Sequence, residues 1–370
     1  MRILLLGKYD FDDVAGGIER YCKLLLDHLP ENVKPFALYF NINHQTVEKE
    51  NSCYPVVKVG VWKTIASTSI SFSVFRRLRE IIKTFHPDIV FIQCPNPMMH
   101  LAYLFAPRGT HKLVINWQSN IVRQKTLLKF YQPFVNRLLR TADAVIVHSS
   151  ELRNSAQLRS CDPSKIYVVP IGVEAPIVYD KKTFEHYVNE FHLFACGRHV
   201  SYKGYDVLLN VLAQLPENVI LTLGGQGPET ENLKKLAKNL EVDHRVNFVG
   251  FIKEEDLGAY IAASDVYCFP SISQNEAFGV AQVEAMLLAK PIVGFEIFNG
   301  TTFINRNNET GIVVENKNVA QYAEAILQLM KDPSLRLKLG QQAQLRARTL
   351  FGVDDMVEKT MKVFKTCLGN

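Results

Sequence analysis

Two carboxylates and two basic side chains stand where core packing alone does not call for them. Glu276 closes the polar run Ser271-Ile-Ser-Gln-Asn-Glu276, and Glu284 lies inside the helix that follows. Ser271 to Asn275 lack helical periodicity, whereas Val280, Val283, Met286, Leu287 and Ala289 recur at spacings of three and four. Ala277, Phe278 and Gly279 form the join. A carboxylate at the mouth of a helix whose first N–H groups lack intrahelical partners is a receiver for a polar, partly anionic ligand. Earlier in the chain, Gly197-Arg198-His-Val-Ser-Tyr-Lys203-Gly204 follows a strand and precedes a helix. An arginine fork beside a lysine point charge suits a diphosphate, and solvated surface charge is the competing reading of either residue alone.

The positioning elements alternate. Arg2–Leu6 reads as a buried strand, followed by a long loop to Gly16-Gly17 and a helix from about Ile18. Adjacent glycines let backbone approach a ligand, and a flexible turn accounts for them as well. Strands are expected at 35–40, 88–93, 112–116 and 144–148, with helices at 73–85 and 127–142. Periodicity fades over 173–190, the expected linker. A second series then runs through strands at 193–197, 219–224, 246–249, 266–269 and 291–294, with helices at 205–215, 228–240, 254–263 and 280–289. Helical sequence over 319–331, 334–350 and 353–367 closes the chain. Leu223-Gly-Gly225-Gln-Gly227 is a further glycine-rich strand end without the spacing of a phosphate loop. The pattern predicts an α/β protein with doubly wound parallel sheets in two domains, 1–172 and 191–352.

With 370 residues the chain exceeds the size at which single cores stop growing, and 47% apolar with 21% charged residues is globular composition. Residues 1–180 hold 22 Lys and Arg against 15 Asp and Glu, while the remainder holds 20 against 22. The first half therefore suits an anionic partner, or a bland basic surface. No aromatic-basic recognition module accompanies the charge, so nucleic acid is not expected. Seven scattered cysteines without CxxC spacing indicate neither a disulfide framework nor a zinc site, and fit a reducing cytoplasm. The apolar start is too short for a signal peptide and no window reaches about 20 apolar residues, so any membrane contact is expected to be peripheral. Asp12-Asp13 reads as a loop charge pair, and no metal cofactor is expected.

Gly16-Gly17, Arg198 with Lys203, Gly224-Gly225-Gln-Gly227-Pro228, Phe248-Val-Gly250 and Glu276-x7-Glu284 together resemble, in order along the whole chain, the retaining glycosyltransferases of the GT-B fold, family 4. The resemblance implies two Rossmann-like domains facing a central cleft, with the last helix (353–370) packing back on the first. It implies a UDP- or GDP-sugar donor and a glycan or polyprenyl-diphosphate-linked acceptor in cell-surface polysaccharide synthesis. Carried over by position, Arg198 and Lys203 hold the diphosphate, and Glu276 takes sugar hydroxyls beside Ala277, Phe278, Gly279 and Val280. Glu284 takes the ribose, Phe251 and Ile252 border the base, and Gly17 and Gly225 complete the donor-binding set. Gly16, Gln118, Ser119, Asn120 and Arg123 fall on the acceptor side. A nucleotide-sugar 2-epimerase or an inactive donor-binding subunit would share the fold.

This sequence departs from the family where a histidine, and often an aspartate, follows an early strand: the places hold Gln118 and Asn120. An amide hydrogen-bonds but does not act as a base near neutral pH. Beyond it, Arg123, Lys125, Lys129, Arg137 and Arg140 occur with no acidic residue between Trp117 and Ala142. That basic amphipathic pattern suits an anionic membrane or a polyprenyl diphosphate, and equally a packed helix with a solvated basic face.

Overall fold

A computed structural model describes residues 1–14, 16–49, 53–65, 68–107, 109–120, 125–178, 190–276, 278–297 and 300–369, with the side chains of 125–129 outside the description. The chain divides into two compact units, Met1–Gly172 with Val353–Asn370, and Val173–Gly352.

The first unit begins β1 (Arg2–Tyr9), α1 (Gly17–Asp27), β2 (Lys34–Phe40), β3 (Val47–Lys49), β4 (Val56–Val59), β5 (Lys63–Ile65) and β6 (Thr68–Ile70). It continues α2 (Ser73–Phe85), β7 (Ile89–Cys94), α3 (Pro97–Leu104), β8 (Lys112–Trp117), α4 (Lys125–Thr141), β9 (Ala144–Val147), α5 (Ser150–Arg153) and β10 (Ile166–Val168). The second unit comprises β11 (Phe191–Cys196), α6 (Tyr205–Leu212), β12 (Val219–Gly224), α7 (Thr230–Asn239), β13 (Val246–Gly250), α8 (Glu254–Ala263) and β14 (Val266–Phe269). Then come α9 (Val280–Leu287), β15 (Ile292–Phe295), α10 (Gly300–Ile304), β16 (Gly311–Val314), α11 (Val319–Lys331) and α12 (Pro333–Leu350), before α13 (Val353–Leu368) returns to the first unit.

The first sheet has the order β10-β9-β8-β7-β1-β2-β4-β3, parallel except for β3 against β4. Side-chain alternation sorts its two faces. Leu4, Val90, Ile115 and Val145 join Leu78, Met99 and Leu138 in one core, which places α2, α3 and α4 on that face. Phe91 points the other way and meets Phe364 of α13 edge-on, with centroids 5.1 Å apart. Gly172 N–H also reaches the Met356 sulfur at 3.1 Å. β5 and β6 form a separate antiparallel hairpin. Neither this hairpin nor β3 is anticipated above, because three-residue strands carry too little alternation to stand out.

The second sheet is wholly parallel, ordered β13-β12-β11-β14-β15-β16. The order reverses between β11 and β14. In an open α/β sheet a ligand crevice lies outside the carboxyl ends of the strands at that switch point.

Candidate active site

The two loops leaving the switch point bring the charged residues of the second unit together. After β11 the chain passes Gly197 and Arg198, makes a 3-10 turn over Ser201–Lys203, and enters α6 through Gly204. Gly204 has φ 68°, and a β-carbon there would collide with the Pro270 carbonyl of the neighbouring loop. Ile272 N–H donates to the Tyr202 carbonyl at 2.9 Å, tying the loop after β11 to the loop after β14.

Lys203 Nζ then lies 2.5 Å from Glu276 Oε2, both side chains being about six-sevenths buried (14% and 13% exposed). Ser271 Oγ donates to the same carboxylate oxygen at 3.2 Å. The ammonium also sits over the rings of Phe269, at 5.6 Å, and Tyr202, at 5.9 Å. Burial works against the charged lysine, but the adjoining Glu276 carboxylate outweighs it and holds the ammonium above its ordinary pKa.

Gly279 starts α9 with φ 88°, and a β-carbon there would lie 2.8 Å from Phe269 Cζ and from Gln282 Nε2. Only glycine fits this turn. No side chain caps the helix, so its first N–H groups remain available. Phe278 is buried and meets Phe351 edge-on at 5.9 Å, so it anchors the loop by its ring and offers a ligand only backbone. Val280 is partly buried, and Ala277 lies outside the described residues. Glu284 is buried on α9 near Cys196, the end of β11. Burial, then the Glu284 charge, pushes the Cys196 thiol up to about 12, which makes it a poor nucleophile.

Arg198 is exposed beside this cluster in sequence and takes no ion pair among the described residues. Backbone packs on backbone at the glycine-rich strand ends: Gly225 N–H donates to Gly250 O at 2.6 Å, and a β-carbon on Gly225 would strike Gly197 O. Ile252 lies against Gly224, while Phe251 is 73% exposed just beyond β13. Arg198, Lys203, Gly225, Phe251, Ile252, Glu276 and Gly279 thus all occupy loops at the carboxyl end of the second sheet. Ser271, Tyr202 and Phe269 belong to the site too; Ser271 opens the polar loop in sequence, but its tie to Glu276 has no sequence signal.

The first unit has its own reversal of strand order, between β1 and β7. Asn96, just past β7, donates to Gly7 O of β1 at 3.0 Å. Gly17 begins α1 with open space where a β-carbon would be, which suits close approach. Gly16 has φ −128°, open to any residue, and a β-carbon there would meet only the flexible end of the Glu19 side chain. Gln118 is buried after β8 and donates from Nε2 to Gln93 Oε1 at 2.7 Å, and Asn116 Nδ2 donates to the same oxygen at 2.6 Å. Ser119 follows, partly buried. Asn120 Oδ1 accepts from Trp117 Nε1 at 3.3 Å and Ser155 Oγ at 2.6 Å, so that oxygen holds the loop. Arg123 lies outside the described residues.

The acidic loop before α1 contains Asp10 as well as Asp12-Asp13, so an Asp-x-Asp spacing is present that the adjacent pair alone conceals. Lysines occupy these carboxylates. Buried Lys58 lies 2.8 Å from Asp10 and 2.7 Å from Asp13, and Lys49 lies 3.1 Å from Asp10 and 2.9 Å from Asp12. Among the described residues no three His, Cys, Asp or Glu side chains are grouped to hold a metal ion.

Two family models divide the chain: "Glycosyltransferase Family 4" matches residues 15–175 and "Glycosyl transferases group 1" matches residues 179–346. The chain is 30% identical to D-rhamnosyltransferase WbpZ of Pseudomonas aeruginosa, over 95% of this chain and 92% of that one. It is 27% identical to the O-antigen chain mannosyltransferase C of Escherichia coli, over 100% and 99%. Among solved structures it resembles sucrose-phosphate synthase from Thermosynechococcus elongatus (TM-score 0.80, 18% identity, 100% of this chain and 99% of that one). It also resembles HepE of Anabaena in complex with UDP-glucose (TM-score 0.76, 18% identity, 99% and 100%).

Proposed function

Because the chain belongs to glycosyltransferase family 4 and has the GT-B fold, we propose that it moves a hexose from a UDP- or GDP-sugar to a glycan or polyprenyl-diphosphate-linked glycan in cell-surface polysaccharide synthesis. The reaction is read as retaining and independent of metal. The observation that carries this reading is the Lys203–Glu276 contact at the switch point of the second sheet, a cation for phosphate beside a carboxylate for sugar hydroxyls. The UDP and UDP-glucose complexes of HepE support a nucleotide-sugar donor, and the rhamnosyl- and mannosyltransferase relatives support a hexose and a polysaccharide product.

In this reading Lys203, Arg198 and the N–H groups opening α9 take the diphosphate. They stabilise the charge that grows on it as the anomeric C–O bond breaks. Glu276 accepts hydrogen bonds from the sugar hydroxyls, Glu284 from the ribose, and Phe251 with Ile252 borders the base. The acceptor hydroxyl oxygen bonds to the anomeric carbon on the face the phosphate leaves, so configuration is kept. Its proton passes to the departing phosphate oxygen, since the Gln118 amide is no base. Neither glutamate is cast as a nucleophile.

An acceptor on a lipid carrier implies work at the cytoplasmic face of a membrane. Support lies in α2 and α4, which hold eight Lys and Arg against Glu80, while α1 and α13 on the opposite face of the sheet are balanced. Phe130 and Phe134 of α4 are 76% and 41% exposed, and Arg137 and Arg140 are exposed with them. No helix among the described residues is long and apolar enough to cross a membrane.

The test is a thermal-shift panel of UDP-, GDP- and ADP-sugars, followed by transfer assays of wild type and Glu276→Ala. Selective stabilisation by one base and lost transfer in the folded variant are expected; undiminished transfer would remove Glu276 from the site. Conversion of the donor sugar without any acceptor would indicate an epimerase instead.

A further inference from the structure

The first unit exposes an aromatic pair that the reading above leaves unused. Trp62 and Phe72 flank the β5–β6 hairpin, with ring centroids 6.2 Å apart and planes inclined at 46°. They are 63% and 71% exposed, although rings of this size ordinarily gain most by burial. The frame beneath them is fixed. Trp62 N–H donates to Ile70 O at 2.8 Å, closing the hairpin, and Val61 N–H donates to Asn43 O at 3.1 Å. Val61 and Ser71, which adjoin the two aromatics in the chain, are buried.

The position is informative. The hairpin hangs from the carboxyl end of β4, and its Ser69 Oγ is 2.6 Å from the hydroxyl of Tyr9, the last residue of β1. That end of a parallel sheet is where ligands bind. The loop that follows Tyr9 carries Asp10 and Asp12, of which Asp12 keeps its side chain 64% exposed despite Lys49. The rim therefore carries two inclined, exposed ring faces on a hairpin that the Ser69–Tyr9 contact ties to the end of β1, where this acidic loop begins. A sugar ring has the matching chemistry, with a face of C–H groups for the electron-rich rings and hydroxyls for carboxylates. A diphosphate gains nothing from ring faces, and a purely aliphatic partner leaves the carboxylates unused.

We propose that Trp62 and Phe72 form a stacking platform for a sugar residue of the acceptor glycan, a subsite that holds the chain being extended. The proposal rests on the reading of the protein as a transferase that extends a glycan. The platform acts on acceptor binding alone, with no part in donor binding or bond making.

The chain has two tryptophans, and Trp117 is buried, so fluorescence open to acrylamide reports on Trp62. Titrating the full chain with α-linked manno- and rhamno-oligosaccharides is expected to shield Trp62 from acrylamide and shift its emission, saturably. Trp62→Ala and Phe72→Ala are each expected to raise the acceptor KM about tenfold, as loss of roughly 1.4 kcal/mol of contact would. Donor KM should change less than about twofold, Tm should hold, and Trp62→Phe should recover most of the affinity. If the enzyme transfers sugar, yet no oligosaccharide of the panel perturbs Trp62 and both alanine variants keep the wild-type acceptor KM, the platform is refuted and the function stands. If glycans shield Trp62 but no sugar is transferred, the platform stands and the function fails. A shift produced by phosphatidylglycerol vesicles and by no glycan would make the pair a membrane contact and overturn the proposal.

Discussion

Lys203 Nζ and Glu276 Oε2, from the two loops that leave the switch point, are 2.5 Å apart. In the free chain the cation and the carboxylate neutralise each other, so an incoming diphosphate competes with Glu276 for the ammonium. Glu276→Gln is therefore expected to tighten binding of UDP or GDP severalfold while lowering kcat about 100-fold or more. Lys203→Ala should weaken diphosphate binding and lower kcat/KM by about 100- to 1000-fold, the usual effect of removing one such donor. Calorimetry with the nucleoside diphosphate beside steady-state kinetics separates the two. Weaker diphosphate binding by Glu276→Gln would contradict the competition.

Gln118 owes its orientation to Gln93. Because Gln93 Oε1 accepts from both Asn116 and Gln118, the Gln118 amide turns its nitrogen toward Gln93. Gln93 Nε2 has no partner among the described residues, a cost that the doubly bonded oxygen offsets. Gln118→Glu, which sets an acceptor where Gln93 Oε1 calls for a donor, is expected to lose transfer; Gln118→Lys, which keeps a donor there, is expected to retain more of it. Gln93→Met should lower kcat by about tenfold by releasing the amide. Equal activity of the two Gln118 variants in steady-state assays would show that the polarity of this position is immaterial.

Stability should fall in mild acid. Burial pushes His100 down to about 3, and burial partly offset by the Val169 carbonyl puts His148 at about 4. Both stay neutral in the fold, whereas the unfolded chain takes up protons near 6.5. Their contribution is complete above about pH 6.5 and is lost below it, by up to about 1.4 kcal/mol per pH unit for each histidine. Urea midpoints measured at pH 7.5, 6 and 5 check the slope; a midpoint that rises as the pH is lowered would contradict it.

Gly279→Val forces a β-branched residue to φ 88° and drives its side chain into Phe269, whose ring lies under the Lys203 ammonium. A loss of at least about 1–2 kcal/mol is expected from the backbone alone. Donor affinity should fall with it, because the opening of α9 and the Lys203 ring contact shift together. Denaturant unfolding and donor titration measure both.

Transfer is expected to survive EDTA unchanged, since Lys49 and Lys58 between them already pair with Asp10, Asp12 and Asp13. Loss of activity on chelation, restored by Mg²⁺ or Mn²⁺, would place a metal in the reaction.

Much of this framework is legible in the sequence wherever an element repeats its pattern long enough. The helices Ser73–Phe85, Glu254–Ala263 and Val319–Lys331 and the strands Val219–Gly224 and Val266–Phe269 fall where apolar spacing and flanking breakers put them. What spacing does not carry is contact between distant segments. The Ser271–Glu276 bond, the Lys58 ion pairs and the three-amide chain through Gln93 arise from sheet order, which local pattern leaves open. Gly16 shows the same limit from the other side. Its residue type is evident, but neither its extended backbone nor its neighbours require glycine, since a β-carbon would meet only the flexible end of Glu19.

The return of α13 to the first unit has a consequence for how the protein is made. Phe91, in the middle of β7, is covered by Phe364, and Gly172 N–H is paired with Met356. Both partners come after the whole second unit in the chain. The first unit is therefore completed only after the second has been translated, and the part of its sheet under α13, beside α1, stays uncovered until then. Folding from the N-terminus cannot finish domain by domain in this chain. A ribosome stalled before Val353 would hold an apolar sheet face in need of a chaperone, and a truncation there would leave it uncovered for good.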